Sequence, residues 1–177
     1  MGRYPVTLRW HPFQLRPDTP YEGVPLSRIL PPAYLAQARA RLEEATTSLG
    51  MAYAPPDLVP NTHLAHEAAA HAEAHGRGDA FHRALLTAYF GHGRAIGDRK
   101  VLLDVAEQVG LDPEVLARDL DSGARSEEVE AGLALAQELG ITAVPTFVFP
   151  DRRALSGAQP WAVFTKAMEL QGVAPRT

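Results

Sequence analysis

The chain has 177 residues, 46% of them hydrophobic and 21% charged, a composition typical of a soluble globular protein. Seventeen Lys and Arg against 21 Asp and Glu give a net charge of −4, without the basic excess of a generic nucleic-acid binder. There is no cysteine, which excludes a disulfide, a thiolate zinc site, an iron–sulfur cluster and a cysteine nucleophile within these residues.

No run approaches the ~20 consecutive apolar residues of a membrane span. The start, Met1-Gly2-Arg3-Tyr4-Pro5-Val6, lacks the apolar stretch of a secretory signal, so a cytoplasmic address is the default expectation. In Tyr4–Phe13, Val6, Leu8 and Trp10 alternate with Thr7, Arg9 and His11, the period of a strand with one buried face. Pro12 ends that strand, and Pro17, Pro20, Gly23 and Pro25 predict an irregular stretch from Gln14 to Pro31.

A block of helices follows. Leu35, Ala38, Leu42 and Ala45 recur at helical spacing between Ala33 and Leu49, with Gly50 as a C-cap. Pro55-Pro56 and Pro60 break the chain before Asn61 or Thr62 caps a helix running to about His75. Asp79 begins another helix that ends near Gly91 and Gly93. Asp98 caps Val101–Val109, Asp112-Pro113 opens a helix to about Leu120, and Ser126 starts one that ends at Gly140. Ile141–Pro150 is β-branched and aromatic and predicts a strand. Ala154–Ser156 returns beside it, and Pro160 opens a final helix carrying Trp161, Phe164 and Met168. Strand, helices, strand, strand, helix makes sense as one sheet flanked by helices, an α/β architecture with an all-helical insertion. The expected division is 1–30 with 141–177 for the sheet and last helix, and 31–140 for the insertion.

Six histidines crowd positions 63 to 92. His66-Glu67-Ala68-Ala69-Ala70-His71 is one residue too long for a zinc-protease motif, since histidines five apart lie about 140° apart around a helix. Glu67, His71 and His75 follow at i, i+4, i+8 and would form a surface trio for Zn²⁺ or Ni²⁺, or a solvated polar face opposite the alanines. No metal site is assigned. No glycine-rich loop follows a strand, which disfavours a nucleotide cofactor.

Four segments in order resemble those of a known family. They are Trp10-His11-Pro12-Phe13-Gln14-Leu15-Arg16-Pro17, Asn61-Thr62 with Ala65-His66, Val144-Pro145-Thr146-Phe147, and Ser156-Gly157-Ala158-Gln159-Pro160. The chain resembles the DsbA/FrnE-like family of thioredoxin-fold proteins, relatives of 2-hydroxychromene-2-carboxylate isomerase and kappa-class glutathione transferase. The resemblance covers about residues 4–170 and implies a thioredoxin-like α/β fold with a large helical insertion. It also implies a thiol–disulfide oxidoreductase acting on protein or small-molecule thiols and disulfides.

Family members carry a first strand and a Cys-x-x-Cys helix ahead of the segment matching Val6–Trp10. Only five residues precede Val6 here, so the active-site helix is expected to be missing and no catalytic residue is assigned. Ala143 stands where the family has glycine. The resemblance implies a cis-proline at Val144-Pro145 and substrate contacts from Ala143, Val144, Pro145, Asn61, Thr62 and His66. An absent first strand would leave a sheet position to be filled by Val6–Trp10, by the missing natural segment, or by a strand donated from another protomer in a homo-oligomer. No cofactor is assigned. The alternatives are a glutathione-dependent isomerase or transferase-like protein, in which glutathione supplies the thiol, and a non-catalytic peptide-binding module. Neither nucleic acid nor membrane is an expected partner.

Overall fold

Side-chain caps set where two helices begin in the computed structural model, which describes residues 4–54 and 57–176. The Pro55-Pro56 break and the Met1–Arg3 start lie outside the described residues. The chain divides into two units, one of 16–131 and one of 1–15 with 132–177, and the second division falls inside a helix. The element order read from the sequence places the division at 30/31 and 140/141.

In the 16–131 unit the elements are β1 (Val24–Pro25), α1 (Leu26–Ile29), α2 (Pro32–Ser48), β2 (Leu58–Val59), α3 (His63–Ala74), α4 (Gly78–Leu86), α5 (Arg99–Gln108) and α6 (Pro113–Ser122). A π-helical turn, Thr87–Gly91, extends α4. The carboxylate of Asp98 accepts from Lys100 N–H to start α5, and that of Asp112 accepts from Glu114 and Val115 N–H to start α6. The proline-rich stretch is not wholly irregular, because β1 pairs antiparallel with β2, Val24 opposite Val59. Gly23 precedes that ladder with φ +79°, and a Cβ there would sit 2.8 Å from the Val59 carbonyl oxygen, so glycine is required.

The core of this unit is helical. Ala65, Ala68 and Ala72 of α3 pack with Phe81 and Leu85 of α4, Leu102 and Val105 of α5, and Leu116 of α6. The alanines let the helices approach closely, and Phe81 fills the space they leave.

The other unit holds β3 (Thr146–Val148), β4 (Ala154–Ser156), α8 (Trp161–Leu170) and the later turns of α7 (Ser126–Glu138). β3 and β4 form an antiparallel hairpin, with Phe147 opposite Leu155. Arg152 N–H donates to the Phe149 carbonyl, and Arg152 itself takes a left-handed φ of 64°, a turn that matches the twist of the two strands. Phe147 meets Phe164 of α8 edge to face at 4.8 Å, and Tyr4 meets Trp161 at 6.0 Å.

Two strand expectations are corrected. Val6–Trp10 is irregular, with Val6 and Trp10 each exposed by over two-fifths. Alternation supplies a buried face but not a neighbour, and no strand among the described residues lies beside this segment. The Ile141–Pro150 strand shrinks to three residues because Pro145 has no N–H for a ladder and the Thr146 hydroxyl is turned back to the Ala143 carbonyl.

Phe81→Ala is expected to destabilise the protein by about 3–5 kcal/mol, because Phe81 is fully buried and its truncation leaves a cavity in the core. Urea unfolding followed by circular dichroism measures it.

Candidate functional site

The loop entering β3 is shaped by two hydrogen bonds to its own carbonyls. Thr146 Oγ1 donates to Ala143 O at 2.7 Å, and Gly157 N–H donates to Pro145 O at 2.7 Å. Val144 lies between these anchors, 48% exposed, and its bond to Pro145 is cis. Below the loop the hairpin is held firmly. Asp151 accepts from Arg153 Nε at 2.5 Å and from Gln171 Nε2 at 2.6 Å, and Arg152 pairs with Glu138 at 2.7 Å. Ala143, Val144 and Pro145 thus form one exposed apolar turn at the base of β3, whose one strand neighbour among the described residues is β4.

Asn61, Thr62 and His66 lie together at the first turn of α3, in the 16–131 unit. Asn61 works in two directions: Oδ1 accepts from His63 N–H at 2.9 Å, and Nδ2 donates to the buried Thr19's carbonyl at 2.7 Å. It caps the helix from one position upstream and ties down the preceding loop. Thr62 occupies the N-cap position without a side-chain cap bond, and its carbonyl accepts from His66 N–H at 3.0 Å. His66 is half-buried one position before Glu67.

The surface trio expected from Glu67, His71 and His75 does not exist. Glu67 is 4% exposed and His71 1%. Glu67 Oε1 accepts from the Ser126 hydroxyl at the start of α7 and from His63 Nε2 at 3.2 Å. His71 Nδ1 donates to Asp119 Oδ2 of α6 at 2.7 Å. Its ring stacks on His75, whose Nδ1 donates to the His71 carbonyl at 2.8 Å. Among the described residues no group of three or more His, Asp or Glu is arranged to hold a metal ion. The polar face of α3 points into the helical unit rather than into water because other helices bring hydrogen-bonding partners to it. Alternation of alanine with Glu and His was the available sequence signal, but it named neither Ser126 nor Asp119.

The hydrogen bond from His71 holds the Asp119 carboxyl below its ordinary value of 3.8, against the opposing effect of burial. Burial lowers His82 of α4 from 6.5, although Asp79 opposes that shift. Both groups hold fewer protons folded than unfolded in the range between their two pKa values.

Residues 2–169 match the DSBA-like thioredoxin domain. The chain belongs to this family. It is 30% identical over 166 residues to the uncharacterized protein YwbO of Bacillus subtilis (strain 168), covering 92% of this chain and 81% of that protein. A probable DsbA oxidoreductase from Streptomyces coelicolor superposes with a TM-score of 0.80 at 30% identity, over 92% of this chain and 74% of the other. A 2-hydroxychromene-2-carboxylate isomerase shares the fold, with a TM-score of 0.68 at 20% identity over 77% of this chain and 66% of the other. The DsbA-like chain is therefore an α/β thioredoxin-fold protein with a helical insertion. None of its described helices is long and apolar enough to cross a membrane.

Asn61→Ala is expected to lower stability by about 1–2 kcal/mol through loss of the cap and of the Thr19 tether. A folded-state pKa below the unfolded one gives stability that is present above the unfolded pKa and lost as pH falls through the folded one. Stability is therefore expected to fall below pH 6.5 through His82 and again below pH 3.8 through Asp119. Asp119→Asn, whose Oδ1 can still accept from His71, is expected to flatten the second decline in urea midpoints measured across pH.

Proposed function

We propose that this chain is a DsbA-like thiol–disulfide oxidoreductase domain. It binds an extended, thiol- or disulfide-bearing substrate along residues 143–148 and takes its reactive thiol from outside these 177 residues. The observation that carries this reading is the exposed Ala143-Val144-Pro145 turn beside β3, whose one strand neighbour among the described residues is β4, in a DsbA-family chain without cysteine. An exposed strand edge offers alternating N–H and C=O groups to an extended peptide, and Val144 adds an apolar contact.

In the exchange itself, a donor thiolate attacks one sulfur of the substrate disulfide. A mixed disulfide forms, the substrate S–S bond breaks, and the other sulfur leaves as a thiolate; a second thiol then resolves the mixed disulfide. The chain's own residues hold the substrate extended during these steps. Glutathione or a protein dithiol supplies the thiol. The proposed setting is the reducing cytoplasm, in keeping with a chain that makes no disulfide of its own. Asn61 serves as scaffold for the start of α3, accepting from His63 N–H and donating to the Thr19 carbonyl.

Titration of isotope-labelled protein with an extended peptide carrying a blocked cysteine is expected to shift amide resonances at 143–148 and 154–156. Val144→Asp is expected to weaken binding about tenfold or more without changing the melting temperature. Shifts confined to other residues, or none at millimolar peptide, overturn the reading. Saturable glutathione binding without peptide binding would instead support a glutathione-dependent isomerase or transferase.

A further inference from the structure

We propose that the indole of Trp161 is a second contact for the extended cysteine-bearing chain and selects an aromatic or aliphatic residue close to the cysteine. This inference rests on the substrate reading of residues 143–148. Trp161 opens α8 and is 58% exposed, although two other rings pack on it. Tyr4 meets it edge to face at 6.0 Å, and Phe164 stacks on it at 6.4 Å. An indole held this way has little rotamer freedom left to lose when a ligand covers it.

Two connections place the indole beside the 143–145 turn. Through the chain, the Pro145 carbonyl accepts from Gly157 N–H at 2.7 Å, and Gly157 stands four residues before Trp161. The link between them is folded tightly, since Gln159 N–H donates to the Gly157 carbonyl at 3.0 Å and Gln159 Nε2 to the Ser156 carbonyl at 2.7 Å. Through the rings, Phe147 of β3 meets Phe164 at 4.8 Å, and Phe164 in turn carries Trp161. An extended chain of six residues covers about 20 Å, enough to touch both Val144 and the indole. The chemistry of the surroundings then selects what the indole takes. Residues 143–148 and 154–165 contain no Asp, Glu, Lys or Arg. The charged neighbours beyond them are already paired, Asp151 with Arg153, Arg152 with Glu138 and Lys166 with Glu169. The face of an indole is electron-rich and repels a carboxylate, and an acidic side chain placed there would lose water without gaining a cation. An aromatic or aliphatic side chain instead takes its own surface and the indole's out of water together.

The chain has two tryptophans, so comparison with Trp10→Phe assigns both indole N–H resonances of the isotope-labelled protein. The probes are extended peptides with a blocked cysteine and one varied residue, placed in turn at each of three positions on either side of it. Phenylalanine peptides are expected to shift the Trp161 indole resonance together with the amides of 143–148. At one position phenylalanine is expected to bind about tenfold more tightly than aspartate, and Trp161→Ala is expected to abolish that preference. The indole shift needs no substitution at Trp161, so it decides the matter even where Trp161→Ala uncovers Tyr4 and fails to fold. Movement of the 143–148 amides with a still Trp161 indole overturns this inference and leaves the substrate reading standing. Stillness of both, or movement of the indole alone, overturns the two together. Equal binding of phenylalanine and aspartate peptides, or tighter binding of a lysine peptide than of either, overturns the stated selectivity.

Discussion

The helical unit depends on a single demand made by α3: one helix buries both an alanine stripe and two ionisable side chains. The alanines at 65, 68 and 72 ask only for close apolar neighbours. Glu67 and His71 ask for more, because a buried polar group without a partner costs about 1–3 kcal/mol. That requirement fixes the placement of two other helices. The start of α7 must bring the Ser126 hydroxyl to Glu67, and the last turns of α6 must bring Asp119 to His71. Apolar packing alone would tolerate small slips between these helices, but the hydrogen bonds do not. Asn61 extends the same constraint upstream by joining the start of α3 to the Thr19 loop.

The hairpin unit is organised differently. Its aromatic contacts, Phe147 to Phe164 and Tyr4 to Trp161, hold one side of β3 and α8, while the loop at 143–145 is anchored through carbonyl oxygens. The result is a rigid turn that presents an exposed apolar residue. A family whose chemistry is sulfur exchange needs two things: a surface that holds the substrate chain extended, and a thiolate. The 177 residues contain no atom capable of the second, and the exposed 143–145 turn is what we propose for the first. Binding and reaction are separable parts of this chemistry, which is why a DsbA-like domain without cysteine is physically coherent as a substrate holder.

The helices were legible from the sequence because their signals are local. Asp98 and Asp112 cap the helices they were expected to cap, and glycines follow the predicted ends closely. The strands were harder to read. Val6–Trp10 carries a good strand alternation, yet a ladder is a property of two segments, and local pattern says nothing about the neighbour. The β1–β2 pairing was missed for the converse reason, since its two residues sit among prolines that discourage a strand. The same distinction explains the polar face of α3. Periodicity placed Glu67 and His71 on one side of a helix and water was the default occupant of that side, whereas residues 59 and 48 positions away supply the partners.

α2 raises a question that local signals do not answer. At 17 residues α2 is only slightly longer than the ~12–15 below which an isolated helix is marginal in water. Five alanines raise its propensity, and Pro32 suits its first turn, but no side chain caps its N-terminus. Within its own unit the Arg39–Asp57 pair is exposed on both sides, and such pairs contribute at most about 1 kcal/mol. Leu35 and Ala38 are half-buried whereas Leu42 and Leu49 are exposed, so apolar cover reaches the first half of the helix and not its end.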